Sequence, residues 1–375
     1  MTILDRYVLK KFLVPFLYCF LGFIAIWLVF DLSDNGPDFI AGHASLKFII
    51  EFYASQFPQI VIISLPIGLL LALLYSLTQM SRANEIISML GAGRSVARVL
   101  APLFAIAMVL VGVMAWFNYE GAPHAEKTKK AMLKELNSGR KPDKRAIQAL
   151  MFRNRADHRT WYMRRIYPVL QNISDLQIIQ QDPKGVITRQ WYARSASYDE
   201  SRHSWLFEDV KVIDMNKDGD ITKTQILKEL RINDWSESPW RLASSTMNPD
   251  YLSVPELHDY LHYNADFPSA RLAPYRTQLQ NRWALPWSPL IVVFIAAPLG
   301  IVYSRRGILG SVSLAIALFF GLIFTNNLCV ALGKGAKMQP DAAAWGPFVF
   351  FFLVGCVLIW MRSTNRDIRI PKIFG

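Results

Sequence analysis

Six long apolar runs, three on each side of one hydrophilic block, constrain this fold more than any other feature of the sequence. They cover residues 12–30, 57–77, 99–117, 283–303, 308–332 and 345–361. A helix rises about 1.5 Å per residue, so crossing the hydrocarbon core of a bilayer takes roughly 20 apolar residues. The sequence therefore predicts a membrane protein with six transmembrane helices, three plus three, around a hydrophilic block at residues 119–282. We expect the first run to remain as a helix, because it is long for the apolar segment of a signal peptide.

The basic residues of the short connections predict the orientation of the chain. They precede the first run, join the second run to the third and the fourth to the fifth, and follow the sixth: Arg6, Lys10, Lys11, Arg82, Arg94, Arg98, Arg305, Arg306, Arg362, Arg366, Arg369 and Lys372. Basic residues in short loops accumulate on the cytoplasmic side of a membrane. We therefore expect both termini in the cytoplasm and the hydrophilic block on the opposite side.

The overall charge and the cysteines narrow the classes of partner. The chain carries 41 Lys and Arg against 29 Asp and Glu, and this excess suits anionic lipids or an anionic cargo. No single-face basic stripe with interleaved aromatic residues stands out, so we expect no nucleic-acid partner. Cys19, Cys329 and Cys356 all lie in or at the ends of the apolar runs. The hydrophilic block therefore has to be stabilised by its own core, without disulfides or a cysteine-based zinc site.

The amino-acid composition of the hydrophilic block changes along its length. Residues 120–136 are typical of a helix that continues out of the third span and stops at Asn137-Ser138-Gly139. Short runs rich in Ile, Val, Tyr, Trp and Thr then alternate with turn clusters. The predicted strands cover residues 160–166, 175–181, 186–194, 204–213 and 221–232. Strands at this spacing predict an antiparallel sandwich or open barrel, and a helix at about 254–264 follows.

Two motifs in this block allow either a metal site or a simpler interpretation. Residues 214–220 match the first half of a calcium loop, but the twelfth position is Gln225, which lacks the required carboxylate. The alternative is a polar hairpin with glycine at a positive φ angle. His258 and His262 lie one helical turn apart, as zinc ligands do, with Asp259 between them. The alternative is a pair of solvated histidines, and we predict no metal or other cofactor.

The connection between the second and third apolar runs is more informative. Residues 81–93 predict a short helix with one apolar face, an acid and a base one turn apart, and a glycine-containing stop. One interpretation is an interfacial connector with an internal ion pair, and the other is a helix that docks into a cytoplasmic partner. Its candidate residues are Arg82, Glu85, Ile86, Met89, Leu90 and Gly93. The chain contains no P-loop motif, so any ATP hydrolysis is expected in a separate protein.

Four stretches together carry a resemblance to a known family. They are Leu4-Asp5-Arg6-Tyr7, the connector from Asn84-Glu85-Ile86 to Gly93, Leu285-Pro286 and residues 334–345. With the three-plus-three layout and the β-rich insert, the chain resembles the LptF/LptG (YjgP/YjgQ) permease family, the membrane subunits of the lipopolysaccharide-export ABC transporter. Leu4-Asp5-Arg6-Tyr7 and residues 253–263 are more similar to LptG than to LptF.

The resemblance implies both a fold and a mechanism. The insert would be a periplasmic β-jellyroll-like domain, in a bacterial inner-membrane protein, that passes lipopolysaccharide to a periplasmic bridge. A second LptF/LptG-type permease would join this chain above a cytoplasmic ABC ATPase dimer, with a lipid cavity between the spans. The connector would be the coupling helix, with Glu85 meeting the ATPase and Gly93 ending the helix. The subunit itself would not be an enzyme.

The implied domains follow from this layout. Residues 1–118 hold spans one to three and the coupling helix at about 81–93, residues 119–282 form the periplasmic domain, and residues 283–375 hold spans four to six with a short cytoplasmic tail. Asn326 and Asn327 in span five are candidates for the lipid cavity, or for polar contacts between helices. The alternative function is a membrane-anchored periplasmic β-domain that acts as a binding or scaffold protein without transport.

One feature of the chain departs from the family pattern. Family members can carry basic residues near the outer end of span one, where they face anionic lipid head groups. This chain has Asp31, Asp34 and Asp38 there. The resemblance therefore gives no expectation for phosphate recognition by span one.

Overall fold

The structure is a computed structural model that describes residues 3–138, 147–167, 172–233, 235–244, 247–301 and 308–364 of the 375-residue chain. Six residues used in the predictions lie outside the described residues, namely Gly139, Arg305, Arg306, Arg366, Arg369 and Lys372. The chain divides into two compact units. The helical unit contains Met1–Gly139, Asp250–Leu257 and Ala273–Gly375, and the β unit contains Arg140–Pro249 and His258–Leu272. The compact β unit thus covers fewer residues than the hydrophilic block at residues 119–282.

The helices follow the predicted apolar runs and extend beyond several of them. In chain order they are α1 Ile3–Ala41, α2 Leu46–Arg82, α3 Glu85–Gly91, α4 Val96–Trp116, α5 Ala122–Ser138, α6 Pro239–Ser244, α7 Val254–Tyr263, α8 Ser269–Ala284, α9 Ser288–Gly300, α10 Ile308–Lys334 and α11 Pro340–Ser363. Short 3-10 segments at Pro249–Tyr251 and Leu285–Trp287 precede α7 and α9. Pro286 opens the second of these, where its missing N–H costs no helical hydrogen bond.

Six stretches of helix among the described residues are long and apolar enough to cross a membrane. They are Ile3–Ala41, Leu46–Arg82, Val96–Leu133, Ser269–Gly300, Leu309–Lys334 and Pro340–Ser363. The prediction of six spans is confirmed. The helices α1 and α2 contain 39 and 37 residues, which at about 1.5 Å per residue exceeds a hydrocarbon core of about 30 Å. Both helices therefore continue past the membrane core.

The core of the helical unit is built around α9. Eleven of its 13 residues are buried, and it packs against α2, α4, α10 and α11. Gly355 of α11 permits the close approach of α11 to α9, because a Cβ atom at Gly355 would lie 2.6 Å from the Cβ of Phe294. Small residues at such contacts let helix backbones approach within a membrane, where packing rather than hydrophobic burial holds helices together.

The helix predicted after the third span is confirmed. A π-helical segment, Phe117–Gly121, joins α4 to α5, so the chain remains helical from Val96 to Ser138. The Nδ2 atom of Asn118 in this segment donates a hydrogen bond of 2.5 Å to the backbone carbonyl of Arg282. This bond joins the π-helical segment to the last turn of α8.

The β unit contains one six-stranded antiparallel sheet with strand order β1-β2-β3-β4-β5-β6. The strands are β1 Ile147–Asn154, β2 Arg159–Tyr167, β3 Asn172–Gln181, β4 Ile187–Asp199, β5 Ser204–Met215 and β6 Ile221–Asn233. The expected antiparallel insert and its five predicted strands are confirmed. Each described strand pairs with its sequence neighbour, so the connectivity is that of a meander.

The first strand of the sheet was missed by the sequence analysis. Residues 147–154, Ile-Gln-Ala-Leu-Met-Phe-Arg-Asn, are rich in helix-forming types, and only Ile147 is β-branched. Pairing with β2 over seven residue pairs from Ile147–Ile166 to Asn154–Arg159 holds the segment extended. Tertiary pairing therefore overrides a weak local preference here.

One face of the sheet buries a cluster of aromatic side chains. Trp161, Trp205 and Phe207 are almost completely buried, with ring centroids of Trp161 and Trp205 5.2 Å apart. Beside them Arg159 donates to the fully buried carboxylate of Glu237 at 3.0 Å and stacks 4.5 Å above the ring of Trp235. A buried charge is tolerated only when it is paired and hydrogen-bonded in this way.

The helix predicted at 254–264 is confirmed as α7, and a capping box starts it. The backbone N–H of Ser253 donates to Oε2 of Glu256 at 2.8 Å, and the N–H of Glu256 donates to Oγ of Ser253 at 3.4 Å. These two bonds satisfy donors that a helix start leaves free.

Candidate functional site

The connector between α2 and α4 is shorter than the helix predicted at 81–93. Ser81 and Arg82 are the last residues of α2. Asn84 then adopts a left-handed conformation with φ of +58°, and α3 follows as a seven-residue helix, Glu85–Gly91. Asparagine tolerates this conformation better than most residues. The connector is therefore a separate helix of about two turns, divided from α2 by one left-handed residue.

Gly93 lies immediately past the end of α3. The backbone N–H of Gly93 donates to the carbonyl of Leu90 at 3.0 Å, and that of Arg94 donates to Met89 at 3.3 Å. This is the Schellman pattern, and the φ of +80° at Gly93 is a conformation that favours glycine.

The apolar face of α3 packs into the protein. Ile86 is 1% exposed and belongs to the main core of the helical unit, and Met89 and Leu90 pack partly buried against it. Ile86 is therefore covered by the chain itself, whereas Met89 and Leu90 remain partly exposed, and docking of this face into a partner stays a prediction. Ile87, which is 41% exposed, and Ser88 form the open face.

Glu85 pairs with α1. Its carboxylate lies 3.8 Å from the ammonium of Lys11, with side chains 26% and 40% exposed. The described residues show no ion pair between Glu85 and Arg82, which was the internal pair predicted from spacing. The left-handed turn at Asn84 removes the helical relation on which that prediction depended.

A second ion pair ties α1 to the other side of the connector. The guanidinium of Arg98, at the start of α4, donates to the carboxylate of Asp5 at 3.1 Å. Asp5 is 7% exposed, so this carboxylate is largely removed from water. Asp5, Lys11 and Arg98 were not identified as a set from the sequence. Asp5 did appear in the stretch Leu4-Asp5-Arg6-Tyr7, which was the available signal.

The acidic end of α1 is partly neutralised within the chain. Lys129 of α5 lies 2.5 Å from the carboxylate of Asp31, which is 8% exposed on its side chain. The ammonium also lies 5.9 Å from the ring centroid of Trp27. Asp31 is therefore a structural partner of α5 and does not present a free negative charge at the membrane.

The two asparagines of span five line a common cavity in the helical unit. The cavity has a volume of about 260 Å³, and its polar lining consists of Gln59, Ser288, Asn326 and Asn327. Asn326 is 8% exposed, and its Oδ1 atom has no hydrogen-bond partner among the described residues. The structure therefore brings the two predicted cavity residues together, with one acceptor free to face a ligand.

The geometry of the two metal motifs favours the simpler interpretations. Oδ1 of Asn216 accepts hydrogen bonds from the backbone N–H groups of Asp218 and Asp220, at 3.0 and 2.9 Å, and Gly219 has φ of +90°. This is a polar hairpin between β5 and β6. His258 and His262 are both exposed on α7, as expected for solvated side chains.

These features define a class of protein. Six spans, an inserted antiparallel β domain and a short connector helix anchored in the core are the features of a multi-pass membrane protein with an inserted β domain. A family model described as "Lipopolysaccharide export system permease LptF/LptG" matches residues 6–361. The chain therefore belongs to the LptF/LptG family, and the resemblance inferred from its sequence is confirmed.

Two curated relatives are similar over part of their length. The chain is 25% identical over 178 residues to the lipopolysaccharide export system permease protein LptG of Escherichia coli strain K12, and equally to LptG of Escherichia coli O6:H1 strain CFT073. Each alignment covers 46% of this chain and 47% of the relative. The chain thus spans about half the length of the curated relatives it matches.

Proposed function

We propose that this chain is a permease subunit of an ATP-driven ABC transporter that extracts lipopolysaccharide from the inner membrane and passes it to a periplasmic bridge. The family match over residues 6–361 is the observation that carries the proposal. In this assignment the subunit catalyses no reaction. A cytoplasmic ABC ATPase dimer hydrolyses ATP, and a second LptF/LptG-type permease completes the lipid pathway.

In this proposal α3 is the coupling helix. Ile86 anchors it in the core, with Met89 and Leu90 packed partly buried beside it. Close-packed protein interiors transmit displacement, because their side chains have little free volume into which to relax. Arg82, Ile87 and the accessible part of Glu85 would meet the ATPase, and the buried face would carry the motion into the spans.

The positive-inside rule supports the proposed orientation. The described cations Arg82, Arg94 and Arg98 lie in or next to the connector, together with Lys10 and Lys11 at the start of α1. Both termini are then cytoplasmic and the β unit is periplasmic. Single cysteines at Ser88 and at Lys217, in a variant lacking the three native cysteines, would test this with a membrane-impermeant maleimide. Labelling of Ser88→Cys in intact spheroplasts would refute the orientation.

The lipid cavity is proposed to include Asn326 and Asn327. The free Oδ1 of Asn326 and the mixed lining of the 260 Å³ cavity support this role. An unsatisfied acceptor inside a membrane protein is costly, so it points to a ligand or partner group. Asn326→Leu should reduce lipid extraction while leaving the protein in the membrane. Normal extraction by that variant would remove Asn326 from the pathway.

A charge exchange at the connector tests the coupling role. Glu85→Lys should abolish lipopolysaccharide release while leaving membrane insertion intact, but it also places two cations together at Lys11. The double variant Lys11→Glu/Glu85→Lys restores the ion pair with its charges exchanged.

The two possible roles of Glu85 then give different results. Continued loss of release in the double variant, with the ATPase still co-purified, indicates that Glu85 acts on the partner. Recovery of release would mean that Glu85 only holds α3 to α1. Normal release by Glu85→Lys alone would refute coupling through this residue.

A further inference from the structure

A groove of about 650 Å³ runs between α1 and α2 in the helical unit. Tyr75 and Gln79 of α2 form one side. The other side is one face of α1, where the lining residues recur at intervals of three and four as neighbours on a helix surface do. They are Tyr7, Lys10, Lys11, Val14, Pro15, Tyr18 and Cys19. The groove is lined by helices of a single compact unit.

The groove has one cationic end and one apolar end. Lys10 and Lys11 lie at the end where α1 enters the first apolar run, and Val14, Pro15 and Cys19 follow along the same face. At about 1.5 Å per residue, Lys11 and Cys19 are separated by about 12 Å along the axis. A phospholipid has the same order of parts, with a charged phosphate followed by an acyl chain.

The charge at the cationic end is poorly compensated by the protein. Lys10 is exposed and takes part in no ion pair among the described residues, and Arg6, one turn earlier, is also exposed. Lys11 faces Glu85 at 3.8 Å, but both side chains are partly exposed and such pairs are weak. Among the described residues, no carboxylate lines the groove. The surface therefore favours an anionic ligand over a zwitterionic one.

The tyrosines of the groove indicate its depth. Tyr18 and Tyr75 are 73% and 58% exposed, although each lies in a membrane-spanning helix. Tyrosine concentrates at the boundary between head groups and acyl chains, because its ring is apolar and its hydroxyl is polar. The groove thus sits where a phospholipid changes from head group to chain.

We propose that this groove binds an anionic phospholipid of the cytoplasmic leaflet. Its phosphate lies between Lys10 and Lys11, and one acyl chain follows Val14 and Cys19. The assignment to the cytoplasmic leaflet rests on the proposed function, in which the start of α1 is cytoplasmic. Because Lys11 also pairs with Glu85, the bound phosphate competes with the connector for one ammonium. The lipid therefore sets how firmly α3 is held to α1.

Photolabelling of the full-length chain in nanodiscs tests this inference. The probe is phosphatidylglycerol with a diazirine on its acyl chain, and labelled peptides are mapped by mass spectrometry. We expect labelling within residues 14–19 and near Tyr75, reduced by unlabelled phosphatidylglycerol and unaffected by phosphatidylcholine. Equal labelling by a phosphatidylcholine probe would overturn the proposal. Displacement by glycerol 3-phosphate alone would also overturn it, since that result describes a phosphate site without a lipid.

Matched variants separate the groove from general surface charge. Lys10→Gln should weaken labelling about fivefold, the equivalent of about 1 kcal/mol for one lysine near an anionic surface. Arg94→Gln removes the same charge from an exposed residue outside the groove and should have little effect. Val14→Trp should block the apolar end without changing charge. Equal losses in Lys10→Gln and Arg94→Gln, or full labelling of Val14→Trp, would refute a groove site.

Failure of this inference is distinguishable from failure of the proposed function. Labelling requires neither ATPase nor lipopolysaccharide. Loss of the labelling pattern with normal lipopolysaccharide release refutes the groove alone. Intact labelling with normal release by Glu85→Lys refutes the coupling role alone.

Discussion

Lys129→Met is expected to destabilise the helical unit by about 3–5 kcal/mol, because it leaves the buried carboxylate of Asp31 without its counter-charge. The carboxylate lies 2.5 Å from the ammonium, with side chains 8% and 21% exposed. At an effective dielectric constant of about 20, the attraction at this distance is about 7 kcal/mol. Desolvation of each ion costs several kcal/mol, so the intact pair contributes little net stability.

Breaking the pair on one side removes the attraction and leaves the desolvation cost of the other ion. The double variant Asp31→Asn/Lys129→Met should therefore recover most of the stability that Lys129→Met loses. Lys130→Met is the matched control, because Lys130 is the next residue of α5 and its side chain is 61% exposed. Its described contacts are a surface ion pair with Glu126 and a hydrogen bond and ring contact with Tyr251. All of them involve an exposed ammonium, so they contribute little.

A thiol-reactive fluorogenic maleimide measures the unfolding midpoint of these variants in mild detergent. Cys19, Cys329 and Cys356 are partly buried in α1, α10 and α11, so they report opening of the helical unit. The expected order of midpoints is wild type and Lys130→Met together, the double variant slightly lower, and Lys129→Met clearly lowest. Equal midpoints for Lys129→Met and Lys130→Met would refute the argument that Asp31 depends on its partner.

Three further predictions concern packing, a helix end and acid stability. Gly355→Ala should lower the unfolding midpoint, since the new Cβ meets α9 at 2.6 Å and overpacking costs about 1–3 kcal/mol. In the same helix, a Cβ at Gly346 would meet no described atom within 4 Å, so Gly346→Ala should be neutral or slightly stabilising. Equal effects of the two substitutions would contradict the reasoning. Ala336→Gly should raise the free energy of unfolding by up to about 1 kcal/mol, and with it the midpoint, because φ at Ala336 is +57° where the chain leaves α10. A lower midpoint would show that this conformation carries no strain. Burial alone raises the pKa of Asp157, but the hydrogen bond from Ser236 and a neighbouring guanidinium outweigh it and lower the pKa. The stabilising contribution of Asp157 is then present above the ordinary aspartate pKa of about 3.9 and is lost as pH falls through the lowered value. Asp157→Asn should therefore reduce the loss of stability in acid, measured by tryptophan fluorescence as pH is lowered. An unchanged acid transition would contradict this.

Hydropathy and turn chemistry were sufficient to predict most of the fold. The six spans follow from the length of the apolar runs, and five strands follow from β-branched and aromatic segments separated by turn residues. These signals are local, so one sequence contains them. The strand β1 was not predicted, because its composition favours helix and only pairing with β2 makes it extended.

The sequence predicted where the connector helix of the candidate site lies, but it did not predict the contacts of that helix. Ile86, Met89 and Leu90 do share one face, but no sequence rule says whether an apolar face of one short helix meets a partner or the chain's own core. The ion pairs between Asp5 and Arg98 and between Asp31 and Lys129 join residues 93 and 98 positions apart. Spacing rules apply within one helix, so they assigned Glu85 to Arg82 instead of Lys11.

The ion pairs along α1 give this helix a specific part in the proposed mechanism. Asp5 and Lys11, in its first turns, form ion pairs on the two sides of the connector. Asp31, about 30 Å beyond Lys11 along the helix axis, forms an ion pair with α5. In the most apolar 18-residue window of α1 only 6% of the residues are buried within the chain, although Phe16 and Cys19 pack against the main core and α1 lies along α2. Close packing transmits displacement, and a loosely packed stretch absorbs part of it. On the proposed function, displacement of α3 by an ATPase is therefore carried mainly through the core at Ile86, while the ion pairs of α1 connect its first turns to the connector and Asp31 to Lys129 in the middle of α5.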